Sequence, residues 1–196
     1  MGEQVKKPLF RVTAILFLIC TCSEILHVVG VSLARTPVTA VAQAVGVLAT
    51  LVFTVLLFMK RRTLLWIPCA LMILRSFTLI TACIVEYCIG ARFFTPIDLA
   101  IYGSHLPEIA AWSIILVLTV LRTPPKPRLL FPIAALVLLN AGLLMKAGIF
   151  CTAALIMLAF SGFNLLVGLF FLIPLIHNLL LVVAAACLLF LLARTS

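Results

Sequence analysis

The chain has 196 residues, of which 66% are hydrophobic and only 10% charged, with a formal net charge of +9. Its mean hydropathy is +1.39, and a soluble domain of this size needs far more polar surface to stay in water. The basic excess does not indicate nucleic acid, because the Lys and Arg residues sit between apolar runs, where they set orientation and meet anionic headgroups.

Those runs are long enough to cross the ~30 Å hydrocarbon core as helices, and are too long and too uniformly apolar for barrel strands. The predicted fold is therefore all-α, a polytopic transmembrane helical bundle forming a single integral membrane domain over residues 1–196. The first span covers about Leu9 to Leu33. Lys6, Lys7 and Arg11 before it imitate a signal peptide, but no small-residue cleavage site follows, so it reads as an uncleaved span. Arg35-Thr36-Pro37 turns the chain, Pro37 opens a second span that reaches Met59, and Lys60-Arg61-Arg62 closes it. The third span runs from Leu64 to Ile89 and is followed by a loop through Arg92 and Pro96. The fourth ends at Leu121, before the Pro-rich basic linker Arg122 to Arg128. That linker divides the chain into candidate halves 1–121 and 129–196.

Beyond the linker, Leu129 to Met145 makes a fifth span with Lys146 outside. Ala147 to Phe171 makes a sixth, and Leu175 to Ala193 a seventh, divided near Pro174. Seven spans is the preferred count and six the alternative. Alternating the segments puts Lys6, Lys7, Arg11, Lys60, Arg61, Arg62, Arg122, Lys126 and Arg128 on one side, against Arg35, Arg92 and Lys146 on the other. The richer side should be cytoplasmic, which places the N-terminus inside and, with seven spans, the C-terminus outside. The expected location is the plasma (inner) membrane. Arg35-Thr36-Pro37 and Arg122-Thr123-Pro124 open spans on opposite sides, as in inverted transporter repeats, but a tripeptide is thin support and coincidence is the better reading.

The informative residues are those that should not be in a bilayer, since a charge at a span centre costs roughly 2.5–3.5 kcal/mol on insertion scales. Glu24 and His27 share a helical face in the outer half of the first span, through their i, i+3 spacing. Arg75 lies near the middle of the third span, too deep to snorkel, and Glu24 is its expected partner. Glu86 reaches the outer interface. In Gly103-Ser104-His105-Leu106-Pro107-Glu108 two readings stand. In one, a helix from Ile97 is interrupted by Pro107, and His105 and Glu108 share a face beside broken backbone. In the other, a helix starts near Ser104, Pro107 occupies its first turn, and Asp98 is an outer-loop charge. Asn140, Asn164, His177 and Asn178 default to packing, the last two at the inner surface. Ala42, Gly46 and Thr50 form a small-residue stripe that favours an internal helix contact over a dimer seam.

The candidate ligand-binding set is thus Glu24, His27, Arg75, His105 and Glu108. Glu24, His27, His105 and Glu108 also loosely match a carboxylate–histidine metal centre, so the cofactor is unknown, with a divalent metal as one option. The chain holds seven cysteines but no Cys-x-x-Cys, nor any phosphate loop, nucleophile elbow or His-Glu-x-x-His. Three function classes follow. The first is a small transporter, or the membrane-embedded substrate-binding subunit of one, with an outward-facing site for a small polar ligand or ion. The second is a membrane-embedded enzyme acting on a lipid-derived substrate through the same Glu/His cluster, so enzymatic activity stays open. The third is a non-catalytic subunit. The expected partners are the lipid bilayer, the small ligand, and a membrane protein or second copy, with no nucleic acid.

Overall fold

The computed structural model describes residues 2–31, 37–89, 96–121, 129–161 and 165–195. They form seven α-helices, with no strand among them: α1 (Gly2–Val31), α2 (Pro37–Phe58), α3 (Trp66–Cys88), α4 (Pro96–Gly103), α5 (His105–Val120), α6 (Leu130–Ser161) and α7 (Leu165–Thr195). Among the described residues, six helical segments are long and apolar enough to cross a membrane, with α4 running into α5 to make one of them. The chain is an integral membrane protein whose described residues carry six candidate spans, the lower of the two counts.

The difference lies in the last third. Lys146 falls in the middle of α6, not in an outer loop, and α6 continues unbroken to Ser161. Pro174 likewise sits within α7 without dividing it. A hydropathy reading splits a helix at a lysine because an unpaired charge belongs in water. Lys146 has a buried carboxylate partner, described below, which removes that reason. The suggested turn near Ser161-Gly162 survives as the gap between α6 and α7, whose residues 162–164 lie outside the described residues, as do the linker 122–128, Arg35, Arg92 and Asn164.

The spans pack as a closed ring in chain order: α1 on α2, α2 on α3, α3 on α5, α5 on α6, α6 on α7, and α7 back on α1. This order excludes an inverted three-helix repeat. A twofold axis in the membrane plane reverses the sense of rotation, so the second half would have to run round the bundle against the first. Here α5, α6 and α7 continue the same way round as α1, α2 and α3.

Lipid tails are as apolar as leucine, so the helices associate through close packing rather than the hydrophobic effect. Small residues make the seams: Ala14, Ala49, Ala111, Ala135 and Ala184 are fully buried. Large apolar side chains such as Leu48, Leu74, Ile84 and Leu144 face outward, as a bilayer requires. Between α2 and α3 the turn is tight. Arg61 N–H donates to Leu56 C=O and Lys60 N–H to Leu57 C=O, with Lys60 in the left-handed region at φ 55°. That is a Schellman ending, and its lysine complements the negative end of the α2 dipole.

Inside the ring, the half toward the Lys60–Arg62 turn is filled by apolar side chains. Phe17 stacks on Phe53 with centroids 4.4 Å apart, and Phe53 reaches Trp112 on α5 at 5.7 Å. Met72, Ile115 and Leu188 complete the plug. Glu24 lies about 10 Å further along α1 than Phe17, at 1.5 Å per residue. Among the described residues, the buried charged side chains begin above the plug.

Candidate functional site, a buried layer of paired charges

Glu24 on α1 is fully buried, and its Oε1 accepts a hydrogen bond of 2.6 Å from Arg75 Nη2 on α3. The other carboxylate oxygen lies against His177 Nε2 on α7. Gly46 on α2 makes the approach possible. A Cβ there would come within 2.7 Å of Arg75 Nε and 2.9 Å of Glu24 Oε1, so only a glycine lets the guanidinium lie across the helix. The small-residue stripe on α2 is therefore an internal contact: Ala42, Gly46 and Thr50 all face inward.

A second trio surrounds Glu108 on α5. His105 Nδ1 lies 2.8 Å from Glu108 Oε2, one helical turn away, and Lys146 Nζ on α6 donates to Oε1. Lys146 also donates to Asn178 Oδ1 on α7 at 3.3 Å, while Asn178 Nδ2 donates to the Pro174 carbonyl at 2.6 Å. Here too a glycine admits the charge. A Cβ on Gly142 of α6 would meet the Ser104 carbonyl at 3.0 Å and Glu108 Cγ at 3.2 Å.

The helix around Glu108 follows the interrupted reading. Ser104 has helical backbone angles, and its N–H still donates to Ala100 C=O, so α4 leads directly into α5. Pro107 has no N–H for the Gly103 carbonyl, and the ladder breaks beside His105 and Glu108. The other reading holds in part, since α5 begins at His105 with Pro107 and Glu108 in its first turn, but Glu108 is 7% exposed and paired with Lys146 as well.

The two trios are joined by α7, where consecutive residues serve different carboxylates: His177 faces Glu24 and Asn178 faces Lys146. Both were expected at the inner surface. They lie instead in the layer because α7 is continuous through Pro174, which lifts them well above the helix end at Thr195. Of the predicted set, Glu24 and Arg75 pair as expected, and His105 and Glu108 share a buried face as expected. His27 is on α1 one turn beyond Glu24, but its side chain lies outside the described residues, as does that of Asp98. Glu86 is partly exposed near the end of α3, away from the layer. Asn140 faces outward and donates to Leu136 C=O of its own helix.

Lys146, His177 and Asn178 were missed. The one signal available beforehand was that five costly polar residues in the last third, Asn140, Lys146, Asn164, His177 and Asn178, should not all be accidents.

Other buried hydroxyls carry less meaning. Thr13, Thr21, Thr50 and Thr54 each donate to a carbonyl of the preceding turn and are satisfied without a ligand. Among the described residues no three His, Cys, Asp or Glu side chains converge as a metal-binding group, and both layer carboxylates are held by cationic side chains. None of the seven cysteines forms a disulfide.

No protein-family model, curated relative or solved structure matches the chain. Its function must be argued from this layer.

Proposed function

We propose that this protein is a small transporter, or the membrane-embedded substrate-binding subunit of one, in the plasma (inner) membrane. Its site for a small polar solute is the layer formed by Glu24, Arg75, His105, Glu108, Lys146 and His177. One observation carries the reading: two carboxylates, each shared between a cation and an imidazole, are buried in the interior of a six-span ring. Packing alone is achieved more cheaply with apolar residues, because burying an ion pair returns little net stability. Intramembrane ionisable groups that face a bundle interior mark solute and proton pathways. The aromatic plug of Phe17, Phe53 and Trp112 supports a site closed on the basic side and approached from the opposite one.

The test is a thermal-shift screen of small polar metabolites and ions on the purified protein, with a charge-balanced variant as control. Glu108→Gln together with Lys146→Gln removes a pair without stranding either charge. A solute that stabilises the wild type at about 100 times its Kd should contribute about 2.7 kcal/mol. The double variant, monodisperse by gel filtration, should lose that response. A double variant that binds the same solute with wild-type affinity overturns the reading.

A further inference from the structure

Charge balance in the layer restricts what it can admit. Among the described residues, Glu24 and Glu108 offset Arg75 and Lys146, so with both imidazoles neutral the layer carries no net charge. A solute bringing one uncompensated charge into this depth meets the same insertion cost as a buried side chain. A cation finds no proton to displace except from Lys146, which Glu108 already holds, or from Arg75, which does not deprotonate. An anion does find compensation, because a proton can be added to an imidazole.

The imidazole best placed is His177. It is 1% exposed, its Nε2 lies against Glu24, and neither ring nitrogen has a well-aligned hydrogen-bond partner among the described residues, Nδ1 having no carboxylate beside it. When Nε2–H faces the carboxylate, Nδ1 presents a bare lone pair. Arg75 Nε is likewise buried without a hydrogen-bond partner among the described residues. With a proton on Nδ1 the layer offers two N–H donors that have no acceptor, and a buried donor left unmade is costly. An anion supplies the acceptor.

We propose, building on the transport reading above, that the solute is a small anion carried together with a proton, and that His177 receives the proton. The lone pair of Nδ1 takes a proton from a hydronium ion on the open side, breaking its O–H bond, releasing water and forming the N–H bond of an imidazolium. The anion's negative charge offsets it, and both leave on the other side, so each cycle moves one proton and one anion without net charge. Among the described residues, the charged groups around His177 are Glu24 from α1, which lies against it, Arg75 from α3, which binds Glu24, and Lys146 from α6, which binds the adjacent Asn178 and pairs with Glu108 of α5, itself beside His105. From α2, Gly46 lies against Arg75 and Glu24 and does not titrate.

The experiment uses the full chain in liposomes that trap a pH-sensitive dye. Inward gradients of chloride, phosphate, methanesulfonate or pyruvate are applied, with glycine and sodium as the zwitterionic and cationic controls and protein-free vesicles as baseline. At least one anion should acidify the lumen, with one proton entering for each anion counted by isotope. His177→Gln keeps a donor toward Glu24 but takes no proton. It should slow that acidification about a hundredfold, the insertion cost of one uncompensated charge expressed as a ratio.

If His177→Gln is not recovered folded, the wild-type proton-to-anion ratio alone decides. Anion uptake without acidification, or a folded His177→Gln that matches the wild type, overturns the proposal. Uptake of glycine or sodium with no anion response overturns it and leaves the transport reading standing. No uptake of any probe sinks both.

Discussion

A buried ion pair responds differently to losing one partner than to losing both, and Glu24 offers a sharp case. Glu24→Gln leaves the Arg75 guanidinium inside the bundle without its carboxylate, a loss of about 3–5 kcal/mol. Adding Arg75→Gln removes the stranded charge, so the double variant should unfold at a higher temperature than the single one in detergent. A double variant no more stable than Glu24→Gln would mean that Arg75 has another counter-charge. The glycines make a second residue-scale test. Gly46→Ala puts a methyl within 3 Å of Arg75 and Glu24, and forced overpacking of this kind costs about 1–3 kcal/mol. Gly148→Ala meets open space and should be neutral, or stabilising by up to about 1 kcal/mol through helix propensity. Equal melting temperatures for the two variants would show that the guanidinium does not lie across α2.

Single helices explain what could and could not be read from the sequence. Glu24 and Arg75 were legible because a deep arginine needs a carboxylate, and few carboxylates exist in the chain. His105 and Glu108 were legible because i, i+3 spacing fixes a shared face once a helix is assumed. Lys146 was not, since hydropathy treats any lysine in an apolar run as a boundary, and its partner lies 38 residues away on another helix. The same misplaced boundary shifted His177 and Asn178 toward the surface. An unbroken α6 has a direct consequence. In a cysteine-free background, Gly148→Cys should resist a membrane-impermeant maleimide in intact cells, because α6 carries this position within the span Leu130–Thr152. Rapid labelling from outside would restore the loop at Lys146 and the seven-span count with it.

At the scale of the whole molecule, the even span count changes how the charges sort. With Lys146 inside the bilayer and neutralised by Glu108, the side opposite the Lys60–Arg62 turn loses one of the three basic residues assigned to it, which leaves Arg35 and Arg92. The end of α7 crosses over, adding Arg194 to the side that already holds Lys6, Lys7, Arg11 and the Lys60–Arg62 turn. The positive-inside bias is therefore stronger with six spans than with seven. The same side is sealed by the Phe17–Phe53–Trp112 plug, and the charged layer lies above it, so the asymmetry of the loops and that of the interior run in parallel. Reporter fusions at residue 2 and residue 195 should both be active in the cytoplasm, whereas a reporter inserted between α1 and α2 should be active only outside. Opposite locations for the two ends would break the six-helix ring. Both ends outside would keep the ring but turn the layer toward the cytoplasm, and capture of solute would then begin from within the cell.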